Sequence, residues 1–247
     1  MLKIISFAIS GAFAAFRDPS VTSNQTVYFI PSKSAVIGLL GAMIGVERSN
    51  NLDEAYGNEY LDFFKKTRIG IKMETPNPKK VAIFTNHRSL KEAKTKPFKT
   101  ELFENPSYRI FVHTEEPYFA KLENALKKNQ FKYSPYFGHA YCPAKVSQAL
   151  VENAETVEPE GHLTKCVVID ESETYDLKFQ ITLRKNTDDS SVMIERHLHH
   201  FFDGENFDKR VLKHWIPTNQ SVFKIQDYSG GSLSKFVKME GYVVCLY

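Results

Sequence analysis

Cysteine is scarce: Cys142, Cys166 and Cys245 are the only three in 247 residues. An odd count at wide spacing excludes a disulfide framework and offers no zinc-ligand spacing, so three reduced thiols in a cytoplasmic chain are expected. Long apolar runs are also missing. The N-terminal MLKIISFAISGAFAAF carries one lysine and a small-residue Ala12-Phe13-Ala14 element, so a secretory signal peptide competes with a buried first strand ending at Ser10-Gly11. The strand is the preferred reading. No other run approaches the ~18 residues of a membrane span, so no membrane partner is expected. There is no GxxxxGK[ST] motif, which leaves a nucleotide hydrolase unsupported. Repeats and low-complexity tracts are absent. Charge of one sign does not dominate either: the net charge is +3, so the chain as a whole is no polycation.

What is present is an ordinary apolar content of 42%, enough to fill a real core. LKIISFAI (2–9) reads as a strand buried on both faces. Ser32 or Ser34 caps a helix running to about Val46, with Pro31 just before it. A polar helical stretch follows at 52–66. RIGIKM (68–73) alternates like a strand, YRIFVHT (108–114) is another, and Pro117 opens the helix YFAKLENALKKN. A turn-rich aromatic loop, SPYFGHAYCPAKV, leads into a fourth strand in AKVSQALVENAETV. The order βαββαβ predicts an α+β fold with an RRM-like or ferredoxin-like first domain over residues 1–158. From 159 to 247 the texture is all-β. Candidate strands are KCVVID, YDLKFQITLR, VMIERHLHHFF, SVFKIQDY and FVKMEGYVVCLY, with a short helix near 206–213.

A basic excursion interrupts the first domain between its second and third strands. Lys72 to Lys99 holds eight Lys or Arg (72, 79, 80, 88, 91, 94, 96, 99) against Glu74 and Glu92, a net +6. A connection this long in a compact domain is functional or disordered. As a solvated surface it needs no partner. As a nucleic-acid contact, its lysines meet phosphates while Phe84, Phe98 and Phe103 stack on bases.

The helix at 32–46 holds Gly38, Gly41 and Gly45, spaced i, i+3 and i+7 on one face. Each costs about 1 kcal/mol against alanine inside a helix. The compensation is close approach, either of the domain's own sheet or of a nucleic-acid backbone. Ser32, Lys33 and Ser34 sit where free N–H groups and the positive helix end favour phosphate. Arg17 adds a possible contact.

Two other chemistries compete. Glu195, His197 and His199 alternate onto one strand face and include metal-ligand types. An exposed polar strand face is the preferred reading, so no metal and no other cofactor are expected. A general base beside a cation is offered by His87-Arg88 and by Lys213-His214 near Trp215, with Tyr28 and His113 as others by type.

The stretch SFAISGAFAAFRDP followed by YFIPSKSAVIGLLGAMIG closely resembles the start of the fifth family of CRISPR-associated proteins. That family belongs to the RAMP superfamily of prokaryotic, cytoplasmic subunits of type I Cascade complexes. YFGHAYCPAKV resembles its Gly-containing loop before the fourth strand. The resemblance implies an RRM-like domain, a long β-hairpin thumb at about 74–106 and a β-rich C-terminal subdomain. It implies a subunit that caps the 5′ handle of CRISPR RNA (crRNA). It also implies docking of the large subunit and the first backbone subunit, and an indirect relation to target DNA. Carried onto this chain, Arg17, Ser32, Lys33, Ser34 and Gly38 fall on the handle-binding element. Lys79, Lys80, His87, Arg88, Lys91, Lys94 and Lys96 fall on the thumb. The I-C branch cuts precursor RNA without metal, using tyrosine, lysine and histidine. Its Lys-His pair after the thumb has no counterpart in YRIFVHTEE. The resemblance therefore favours a non-catalytic subunit closer to I-B-like members, with the endoribonuclease as alternative.

Overall fold

A computed structural model describes residues 1–21, 25–49, 55–88, 94–170, 181–185, 191–203, 206–228 and 234–247. Side chains at 87, 181–185, 198–203, 206–210 and 227 are not described. The first half contains β1 (Leu2–Gly11), β2 (Phe13–Ala14), α1 (Lys33–Ile44), α2 (Asn58–Lys66) and β3 (Arg68–Met73). It continues with β4 (Lys79–Arg88), β5 (Thr95–Glu104), β6 (Ser107–His113), α3 (Tyr118–Lys128) and β7 (Ala144–Thr156). The second half is all strand: β8 (Leu163–Thr164), β9 (Val168–Asp170), β10 (Ile181–Lys185), β11 (Ser191–Asp203), β12 (Asn206–Thr218), β13 (Phe223–Tyr228), β14 (Lys235–Met239) and β15 (Tyr242–Leu246). The fold is mixed α and β, dominated by sheet, with three helices among the described residues.

The run of helices and strands places β7, β1, β6 and β3 side by side, all antiparallel. β1 is buried on both faces from Ile4 to Phe7, where Ser6 is the one polar residue. Ile5, Phe7 and Ile9 meet the core that also takes in Val36, Ile37 and Leu40 of α1. Ile4 packs on the other face with Phe111, Val237, Val244 and Leu246. The sheet does not stop at residue 158, because β14 pairs with β7 and continues it into β15. At the other margin Ile69 and Tyr247 exchange two backbone bonds of 3.0 Å, and the Val167 N–H donates to Ile71 at 2.7 Å. Gly70 makes this closure possible. A Cβ there would lie 2.5 Å from Val244 Cγ1 and 3.0 Å from the Cys245 carbonyl.

Several elements differ from the sequence reading. The first helix ends at Ile44 because Gly45 adopts a left-handed C-cap, its N–H bonded to Gly41. The second helix begins only at Asn58; residues 51–54 lie outside the description. Residues 206–218 form a strand where a short helix was expected. Their partner β11 pairs with them along its whole length, and thirteen cross-strand partners outweigh local propensity. FVKMEGYVVCLY is a hairpin turning at Gly241, whose φ of 79° breaks the strand. KCVVID pairs as a strand only at its end, 168–170. Residues 175–180 of YDLKFQITLR lie outside the description. The basic excursion is a hairpin, β4–β5, joined at its root to β2 through Phe103 and Glu104.

Candidate nucleic-acid interface

Ser32 sits in extended conformation (φ −67°, ψ 160°), and its hydroxyl accepts the Ala35 N–H at 3.3 Å. The Ser32 carbonyl accepts the Val36 N–H at 3.1 Å. The Lys33 and Ser34 N–H groups are thus left without a partner inside the helix. The two serine hydroxyls stand 3.0 Å apart.

From this start a groove of about 620 Å³ runs along α1. Ser34, Gly38 and Ala42 lie one turn apart and share a face, so they form its floor. The segment before α2 and α2 itself supply Tyr56 and Tyr60 as one wall, their rings stacked at 5.5 Å. Arg48 lies over Tyr56 at 4.7 Å. The loop before β7 supplies Tyr133, Ser134, Pro135, Tyr136 and Gly138 as the other wall. Tyr133 and Tyr136 are exposed. Burial beside Tyr56 pushes the Tyr60 phenol up to about 12. A polar-small floor between aromatic walls, with a cation at the rim, suits unstacked bases and their phosphates.

The three glycines of the helix do three different things. Gly38 has nothing within 4 Å of a built Cβ and opens onto the groove. Gly41 packs inward, 3.3 Å from the Val46 carbonyl and 3.8 Å from Phe63. Gly45 is the cap. Only Gly38 leaves room for an external backbone.

Lys33 does not line this groove. Its Nζ lies 5.3 Å from the Phe64 ring centroid, on a half-buried side chain. Burial, with Arg68 nearby, lowers it to about 7. Arg17 is exposed, bridges to Val27 and reaches the Val21 carbonyl at 3.5 Å.

The wall is tied to this N-terminal segment. Ala15 donates to the Phe137 carbonyl at 2.9 Å, and Gly138 presses against Ala15. The segment before α1 is held from the second half of the chain. Glu195 accepts the Phe29 N–H through both oxygens, at 2.9 and 3.1 Å, while the Tyr108 hydroxyl donates to the Phe29 carbonyl. Tyr28 stacks on His197 at 3.8 Å, and His197 lies 4.2 Å from His214. Thus Tyr28, Glu195, His197 and His214, scattered over the sequence, come together. They do so inside the protein: His197 and His214 are fully buried. The strand face expected to be exposed is packed at Glu195 and His197, because the cross-strand register turns them inward with His214 and Ile216; the side chain of His199 lies outside the described residues. Glu195 Oε2 lies 3.0 Å from His197 Nε2. Among the described residues no three His, Cys, Asp or Glu side chains gather as a metal site needs. His113 turns Nδ1 to the Lys3 carbonyl at 3.0 Å.

On the hairpin, Lys79, Lys80, Arg88, Lys94 and Lys96 are exposed. Lys80 Nζ lies 4.3 Å from the Phe29 ring centroid. Lys72 and Lys99 are drawn to Glu74 and Glu101 at 3.2 and 3.4 Å. Lys91 lies outside the described residues, as does the side chain of His87. Phe84 is 74% exposed, but Phe103 is fully buried, edge-on to Phe29 at 5.1 Å, so it is not a stacking residue. Sequence reasoning missed Arg48, Tyr56 and Tyr60. Their only signal was an arginine and two tyrosines around a stretch with no strong periodicity.

Residues 4–224 match the family model described as CRISPR-associated protein (Cas_Cas5). The chain belongs to this family. A solved structure described as a CRISPR RNA-guided surveillance complex contains a chain 16% identical to this member, covering 88% of this chain and 91% of that one, with a TM-score of 0.50. A CRISPR protein from Archaeoglobus fulgidus is 11% identical over 99% of this chain and 98% of its own, with a TM-score of 0.47. No curated protein matches the sequence. The first of these likenesses supports a shared fold with the Cas_Cas5 member described here.

Proposed function

We propose that this chain is a non-catalytic RNA-binding subunit of a type I CRISPR Cascade complex that caps the crRNA 5′ handle. The carrying observation is the groove: Gly38 opens its floor, tyrosines wall it, and two free amides of α1 stand at its head. Handle phosphates sit at the Lys33 and Ser34 N–H groups, and handle bases enter between Tyr56 and Tyr133. The exposed lysines of β4–β5 and Phe84 meet RNA beyond the handle. Family membership supports docking beside a large subunit and a backbone subunit, and so an indirect relation to target DNA. Affinity for handle RNA should fall steeply with salt, because phosphate contacts release counterions. A salt-independent affinity would remove the proposal.

Lys33 gives the seat a pH signature. A phosphate nearby favours the ammonium, so binding takes up a proton once pH exceeds about 7. Raising the pH from 6 to 8.5 should weaken handle binding by about tenfold. Lys33→Met should flatten that profile, and equal profiles would exclude Lys33 from the seat. Without RNA the sign differs. Between pH 7 and 10.5 the unfolded chain binds the extra proton, so stability rises with pH there.

The alternative is metal-independent cleavage of precursor RNA. The buried position of His197 and His214 disfavours it, since a general base must reach the substrate. Precursor RNA incubated with the purified protein in chelator should stay intact. Discrete cleavage products would make the alternative the better reading.

A further inference from the structure

β7 has one covered edge and one open edge. β1 pairs with it from Ala144 to Ala154. On its other side β14 reaches only Glu155 and Thr156. Between Lys145 and Asn153 the outward N–H and C=O groups therefore meet no strand among the described residues. Unpaired edges of this kind template strand addition.

The apolar exposure along this edge has an unusual distribution. Leu150 is 55% exposed and Val151 37%. Leu150 lies opposite Ser6 and Val151 opposite Ile5, so the two point to opposite faces of the sheet. A partner lying on one face would cover one residue and leave the other wet. A strand added beside β7 covers both. The stretch from Leu150 to Asn153 contains no proline, no lysine and no bulge, three of the devices that blunt such an edge. A bulge at Gln148 (φ 53°) and Ala149 shifts the register between Ser6 and Ala8, leaving 150–154 as the regular stretch.

Charge sets the direction. Lys145 is exposed at one end, and Lys127 of α3 lines a groove of about 380 Å³ beside Val146–Ala149. Lys127 is partly answered by Glu123 at 2.6 Å, while Lys128 next to it is exposed. Glu152 and Glu155 are exposed at the other end.

We infer that the free edge of β7 docks an extended strand of a protein partner, acidic where it passes Lys145 and basic where it passes Glu152. Main-chain bonds supply the affinity, and Leu150 and Val151 supply apolar cover on both faces.

A synthetic peptide of about nine residues tests this. It alternates valine and threonine, with two lysines at its N-terminal end and two aspartates at its C-terminal end, as antiparallel pairing with β7 requires. Added to the full chain, it should slow amide exchange within 150–153 by about tenfold at saturation. The charge-swapped peptide should bind about tenfold more weakly. Leu150→Lys, at an exposed position, should abolish the protection without shifting the melting temperature. Equal binding of both peptides, protection elsewhere, or undiminished protection in Leu150→Lys would overturn the inference. So would protection of the same amides by self-association of the chain without peptide, which would make the occupant a second copy.

Discussion

Gly38→Leu should leave the protein at least as stable and weaken handle-RNA binding by about tenfold or more, a loss of about 1.4 kcal/mol. Two independent facts produce this result. Nothing lies within 4 Å of a Cβ built at Gly38, so a side chain displaces no protein atom. Leucine also favours the helix interior over glycine by roughly 0.5–1 kcal/mol. The same side chain projects into the groove between Tyr56 and Tyr136. Thermal melting and fluorescence anisotropy with labelled handle RNA check both halves. Gly41→Leu is the contrast: it meets the Val46 carbonyl at 3.3 Å and should lose stability instead. Unchanged RNA affinity in Gly38→Leu would take the groove out of the binding site.

Gly138→Ala should be destabilising by about 3 kcal/mol or more, a fall of about 6–12 °C in melting temperature. Gly138 has a φ of 80°, and its added Cβ would stand 2.2 Å from the Ala15 carbonyl oxygen. Neither backbone yields easily, because Ala15 also donates to the Phe137 carbonyl. Tyr133 and Tyr136 belong to the same loop, so RNA affinity should fall with stability. Gly161→Ala separates strain from contact. Its φ is 79° with nothing within 4 Å, so it should cost only about 1 kcal/mol. Equal losses at the two sites would mean that contact with Ala15 is unimportant.

Much of the first half was legible because its signals are local. Ser32 as cap, the alternation in RIGIKM and the Pro117 helix start each act within one turn or one strand. The two family-like stretches, 6–19 and 28–45, are each contiguous as well. The groove was only half legible. Its floor is a helix face and could be read from spacing, but its walls come from Tyr56 and Tyr133, which the fold brings together across 76 intervening residues. Phe103 looked like a stacking residue because composition cannot tell the root of a hairpin, which is core, from its arm, which is wet. The strand at 206–218 was missed because its partner, not its own propensity, decides its conformation. Glu195 was legible as a carboxylate on a strand. Its hold on Phe29, 166 residues away, was not.

The residues between β2 and α1 are stitched at both ends. Gln25 donates to the Lys99 carbonyl at 3.0 Å and accepts from Glu101 at 2.8 Å, on the lysine-rich arm. Ten residues earlier, Ala15 is bonded to the tyrosine loop. The arm and the jaw are therefore mounted on one short bracket, like the two legs of a calliper. A shift of the arm works against the Gln25 bonds to β5, and a shift of the jaw works against the Ala15 bond to Phe137.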